Sequence, residues 1–167
     1  MISVQEIFQP LIGLPVWHVR RGNGSFLTFE FGNPHLEIRE PRIVSADVSE
    51  RVRRSLQKRR VFVVGQWHCW VQYCDWDVIT STTSVSSDES DTSKIDACLD
   101  DIDGQMLVEV NASGATCNLV FDLGGKVVLR PSSEFDDDDQ WTLHETSQCI
   151  YAFRSDGTII ATPNEAP

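Results

Sequence analysis

Residues 105–161 are cut into six short segments by turn residues, and this punctuation limits the possible folds more than any other feature of the chain. The segments are Gln105–Val110, Thr116–Asp122, Lys126–Arg130, Gln140–His144, Cys149–Arg154 and Thr158–Ala161. Each is a short run with apolar residues bounded by turn residues, which reads as a strand. Gly124-Gly125 and Asp156-Gly157 read as two-residue hairpin turns, and Asn111–Gly114 as a further turn. Short strands joined by tight turns predict an antiparallel β-meander.

Upstream, Trp67-His68-Cys69-Trp70-Val71-Gln72-Tyr73-Cys74-Asp75-Trp76 holds three of the five tryptophans. Alternation puts Trp67, Cys69, Val71, Tyr73 and Asp75 on one face. His68, Trp70, Gln72, Cys74 and Trp76 take the other. Both faces carry large aromatics, so the stretch is expected to be a central strand covered on both sides. Val61–Val64 is its expected partner, with Gly65 as a bulge or bend between them. Before it, Val16–Arg20, Ser25–Phe31 and His35–Arg39 read as three strands in meander order. In the third, Leu36 and Ile38 are expected to point inward and His35, Glu37 and Arg39 outward.

Helices are few. Val4, Ile7, Phe8 and Leu11 fall at helical spacing behind a Ser3/Glu6 capping box, and Pro10 limits the last turn. Ile95, Cys98, Leu99 and Ile102 form a second stripe, capped by Ser90 or Asp91 and stopped by Gly104. Ser49–Leu56 has the pattern of a short helix with a thin apolar face. Residues 80–91 are rich in Ser, Thr and Asp, with Val85 as the one core-forming residue, and read as a flexible loop.

Charge is unevenly spread. Residues 1–60 carry ten Lys/Arg and six Asp/Glu, while residues 61–167 carry four and nineteen. The net charge of −11 argues against general affinity for nucleic acid, whose phosphates need cations. The five cysteines are odd in number and lack C-x-x-C spacing, which points to reduced, buried thiols in a cytoplasmic protein rather than disulfides or zinc. No segment has the pattern of a signal peptide or a membrane span.

Motifs that carry chemistry are scarce. There is no Walker A loop, no G-x-S-x-G and no H-E-x-x-H. Asp136-Asp137-Asp138-Asp139 is the densest charge, but adjacent carboxylates point apart, so a solvated loop is expected rather than a metal site. Asp101-Ile102-Asp103-Gly104 fails as a calcium loop, because Leu99 and Val110 stand at its first and last ligand positions. His68 and Cys74 share a face in this reading but lie about 20 Å apart along a strand, too far to ligate one ion.

Three blocks have a familiar order: Phe121-Asp122-Leu123-Gly124-Gly125, then Asp137-Asp138-Asp139-Gln140-Trp141-Thr142-Leu143, then Arg154-Ser155-Asp156-Gly157. With the Trp-His-x-Trp-x-x-x-Cys stretch at residue 67, the pattern resembles a set of small uncharacterised bacterial proteins. The resemblance covers about half of the chain. It implies a β-rich fold and a bacterial origin, and no activity. Compact acidic bacterial proteins of this kind resemble immunity proteins.

The expected fold is α+β, predominantly antiparallel β-sheet and meander-rich, with two or three short helices in a single domain over residues 1–167. The expected function is an acidic, non-catalytic protein-interaction module without cofactor or metal. Its concrete form is an immunity- or inhibitor-type protein that binds a basic partner through Asp136, Asp137, Asp138, Asp139 and Trp141. Two other classes stay open. One is a small hydrolase or ligand-binding protein with a pocket near His68, Cys74 and Trp76. The other is a structural subunit of a larger bacterial assembly, in which Arg51, Arg53, Arg54, Lys58, Arg59 and Arg60 would meet an acidic partner or nucleic acid.

Overall fold

The computed structural model describes residues 2–45, 47–135, 138–146 and 148–163. In chain order the elements are α1 (Val4–Phe8), β1 (Val16–Arg21), β2 (Leu27–Phe31), β3 (His35–Arg39), α2 (Glu50–Leu56), β4 (Arg60–Val64), β5 (Trp67–Val71), β6 (Cys74–Ile79), β7 (Ser84–Ser86) and α3 (Thr92–Ile102). Then come β8 (Leu107–Ser113), β9 (Thr116–Phe121), β10 (Lys126–Pro131), β11 (Asp139–Glu145), β12 (Cys149–Arg154) and β13 (Ile159–Pro163). The fold is α+β and mostly antiparallel β. A six-stranded sheet runs β1-β2-β5-β11-β12-β13, a five-stranded sheet runs β7-β6-β10-β9-β8, and β3 pairs with β4 in a separate ribbon. No helix of the described residues is long and apolar enough to cross a membrane.

Each helix forms where its caps and stripe place it. Ser3 Oγ accepts the Glu6 amide while Glu6 Oε2 accepts the Ser3 amide, closing the capping box of α1. Pro10 then tightens the chain into a 3-10 turn over Gln9–Leu11. Asp91 caps α3 by accepting the Ser93 amide, and Gly104, at φ +88°, ends it. The four stripe residues of α3 are all buried. Asp103 just beyond them accepts the Val19 amide, which a bulge in β1 leaves without a ladder partner.

All six predicted strands after residue 105 are present, but they do not form one meander. β8–β10 belong to the five-stranded sheet and β11–β13 to the six-stranded one. The chain changes sheets between β10 and β11. It also crosses at Gln72–Tyr73, so Trp67–Trp76 is two strands in two sheets rather than one central strand. β5 does lie inside its sheet, paired to β2 and β11.

The crossing changes the phase of alternation. Trp67, Cys69 and Val71 are buried, and after the two-residue corner so are Cys74, Trp76 and Val78. Gln140 ties both crossings. Its carbonyl accepts the Gln72 and Tyr73 amides, and its side chain accepts from Ser132 N and donates to the Phe135 carbonyl. The carbonyl and side chain of buried Gln140 are therefore both used.

The two sheets share one hydrophobic core, joined by α1 and α3. Residues 80–91 are not the flexible loop expected from composition. They hold β7, which pairs with β6 and buries Val85. The connections at Asp122–Gly125 and Ser155–Thr158 have four residues rather than two, with Gly124 and Gly157 at positive φ.

Burial governs the thiols. It raises Cys74 and Cys117 to about 12 and pushes Cys69 well above its ordinary range. Cys149 alone is not fully buried. A thiol-specific disulfide reagent at pH 8 is expected to modify one of the five cysteines in the native protein, and none in Cys149→Ser, until denaturant is added. Fast modification of Cys74 would contradict the packing described.

Candidate functional site

The segment between β2 and β5 leaves the six-stranded sheet and returns to it. β2 and β5 pair with each other, so the thirty-odd residues between them form an excursion rather than a further strand of the sheet. Within it, β3 and β4 pair from His35↔Val64 to Arg39↔Arg60. This corrects both the expected β1-β2-β3 meander and the expected pairing of Val61–Val64 with the strand after Gly65.

The two faces of the ribbon differ. His35, Glu37, Phe62 and Val64 are half-buried and form the inner face. Leu36, Ile38, Val61 and Val63 are 65%, 46%, 56% and 48% exposed and form the outer face. Leu36 is opposite Val63, and Ile38 is opposite Val61. Four aliphatic side chains thus make a contiguous outward patch. The expectation that Leu36 and Ile38 point inward is reversed. Alternation defines two faces but not which one meets the body, and here the body offers a polar surface.

That polar surface is a row across β2, β5 and β11. His68 pairs with Glu30 on one side and His144 on the other. His68 Nδ1 lies 2.7 Å from Glu30 Oε1, and Glu30 Oε2 accepts the Gly65 amide at 2.8 Å. Glu30 is 2% exposed, so both oxygens are spent on holding His68 and the ribbon's return point. The His68 and His144 rings meet edge to face at 5.8 Å, and His144 Nε2 lies 3.0 Å from Thr142 Oγ1.

Burial, and then the neighbouring His68, push His144 down to about 4, while Glu37 on the ribbon and Glu30 pull the other way. Glu37 lies on the half-buried face of the ribbon. Neutral His144 is favoured in the fold, so the unfolded chain takes up its proton first as pH falls. Stability from this group is full above its ordinary value of 6.5 and is lost as pH falls towards 4. The urea midpoint of the native protein is expected to drop more steeply over that window than that of His144→Gln. Parallel profiles would contradict the burial of His144.

Beyond the ribbon the chain is basic. Arg39 and Arg60 close its far end, with the Arg39 guanidinium 4.8 Å from the Phe62 ring centre. Ser49 caps α2, whose Arg53 and Arg54 both reach Glu50. Arg59 pairs with Glu40. These pairs are internal to the segment. Among the described residues Arg51, Lys58 and Arg60 form no ion pair, and they line a shallow open depression with Glu50, Arg54 and Ser55.

The other expected site residues are scattered. Asp136 and Asp137 lie outside the described residues. Asp138 is exposed, and Asp139 pairs with Arg154 at 2.7 Å. Trp141 is 2% exposed and stacked on Phe153 with ring centres 3.5 Å apart, so it cannot serve as a surface anchor. His68 is on the outer side of β5, whereas Cys74 and Trp76 point into the core from β6, and they share no pocket. Among the described residues no group of three His, Cys, Asp or Glu is placed to hold a metal ion.

The residues that sequence reasoning missed are the outer four of the ribbon and buried Glu30. The first carried a signal, Leu-x-Ile and Val-x-Val, that was assigned to the wrong side. Glu30 carried none, because its partner His68 is 38 residues away. No family model, no curated protein and no solved structure matches the chain.

Proposed function

We propose that this chain is a non-catalytic protein-binding module whose docking element is the β3–β4 ribbon. The observation that carries the reading is the outward patch of Leu36, Ile38, Val61 and Val63 on a strand pair whose other face, His35, Glu37, Phe62 and Val64, is half-buried. Exposing four aliphatic side chains while covering a glutamate and a histidine is unfavourable for the isolated protein. A partner that buries the patch recovers roughly 25 cal/mol for each Å² removed from water. An immunity- or inhibitor-type role in a bacterial cytoplasm is the concrete form of this reading, and the unpaired, mostly buried thiols fit a reducing compartment.

The acidic loop is the weaker candidate for the docking surface, since Asp139 is already paired and Trp141 is buried. The test is site-resolved photo-crosslinking in cells that produce the chain. A photoreactive side chain at position 36 or 63 is expected to give one discrete adduct. The same group at the exposed positions 108 and 123 is expected to give none. Equal labelling from all four positions would overturn the assignment.

Leu36→Thr with Val63→Thr is expected to remove that adduct while changing folding stability by no more than about 1 kcal/mol, because exposed substitutions cost little and β-branched threonine suits a strand. A thermal melt and the crosslinking yield check both halves. A large loss of stability would mean that the patch is part of the core.

A further inference from the structure

We infer that the partner of the ribbon is an acidic protein segment: apolar side chains to cover Leu36, Ile38, Val61 and Val63, flanked by carboxylates that meet the arginines beyond them. This rests on the ribbon as the docking element and adds the chemistry of what docks.

The first argument is charge. Residues 34–64 carry eight Lys/Arg and four Asp/Glu, whereas the rest of the chain carries six and twenty-one. The patch is therefore built on the one cationic piece of a strongly anionic protein. An acidic segment is drawn to the ribbon and repelled by the remainder, which selects one landing place. The second argument is position. Past the last aliphatic pair, Ile38↔Val61, the ribbon leads to Arg60, which lines a shallow depression with Arg51 and Lys58, whereas Arg39 is already paired with Glu37. Arg51, Lys58 and Arg60 form no ion pair among the described residues and are free to accept carboxylates. The third is backbone. β3 and β4 each pair on one side only, and an added strand would satisfy an open edge while its side chains reach the patch.

The same features count against other occupants. Nucleic acid bases stack on aromatic rings, and this face is aliphatic. An anionic bilayer is a plane, and it would bring the anionic remainder of the molecule towards like charge as well. A second copy would set one net-cationic segment against another.

The test is selection of random fifteen-residue peptides on the immobilised full chain, with counter-selection on Leu36→Thr/Val63→Thr. Enriched peptides are expected to place apolar residues on one face and to carry net negative charge. Their affinity is expected to fall about tenfold in Arg51→Gln/Arg60→Gln and to weaken as salt is raised. Patch-dependent peptides that are neutral or basic would overturn the acidic partner while leaving the docking element in place. Enrichment that ignores the Leu36/Val63 change would overturn the docking element itself. Two further outcomes would overturn the proposal in favour of another occupant. One is co-sedimentation of the chain with phosphatidylserine vesicles, and the other is a concentration-dependent dimer, each abolished by Leu36→Thr/Val63→Thr.

Discussion

Gly65→Ala is expected to cost about 3 kcal/mol of folding stability, the upper end of what overpacking does. A Cβ at residue 65 would sit 2.6 Å from the Phe31 carbonyl oxygen, 2.9 Å from the Phe31 nitrogen and 2.9 Å from the Trp67 carbonyl oxygen. All three are backbone atoms of paired strands, so no side chain can swing away. Relief requires β2 and β5 to part where Glu30 accepts the Gly65 amide and Thr146 Oγ1 donates to the Gly65 carbonyl. The loss would appear as a lower urea midpoint at unchanged slope. A cost under about 1 kcal/mol would show that the root of the ribbon gives way easily, and the rigid presentation of its outer face would lose its physical basis.

Trp76→Ala is expected to be at least as damaging, at about 3–5 kcal/mol. Trp76 is fully buried, and its indole N–H donates to the Ser25 carbonyl at 2.6 Å. That bond joins β6 of the five-stranded sheet to the turn before β2 of the six-stranded sheet. Truncation opens a cavity between the sheets and orphans the carbonyl. Trp76→Phe fills most of the space and loses the hydrogen bond, so about 1–3 kcal/mol is expected for that change. Equal losses for the two variants would assign the effect to the bond rather than to packing.

The elements that were legible in the sequence were those set by local period and punctuation. The α3 stripe needed only helical spacing, a capping Asp91 and Gly104. The strands from β8 to β13 needed only short apolar-containing runs between turn residues. What stayed hidden was decided between elements. Gln72 and Tyr73 shift the phase of alternation by one residue, which moves Cys74 and Trp76 into the core and away from His68. Nothing in the sequence reveals that β10 and β11 belong to different sheets. Val85 is one apolar residue among many polar ones, yet it docks under α3 because β6 offers an edge for a three-residue strand.

The candidate site was the least legible part, for the same reason. Alternation in Leu36-Glu37-Ile38 and Val61-Phe62-Val63 names two faces and is silent on which one the body will meet. The answer lay in Glu30, His68 and His144, which come together from three strands far apart in the chain. On the ribbon Glu37 is half-buried and the aliphatic face is left outward. The acidic run drew attention because charge density is visible in one dimension. A functional surface made of ordinary strand residues is visible only after folding.

The outward aliphatic face is the central claim, and one measurement bears on it directly. In a methyl-labelled sample, a soluble paramagnetic co-solute broadens the resonances of groups it can approach. The methyls of Leu36, Ile38, Val61 and Val63 are predicted to broaden strongly, as Leu123 does, while Leu143, Val71 and Leu129 in the core stay sharp. Methyls on the ribbon as well protected as Val71 would mean that this face is turned inward, and the docking element would fall with it.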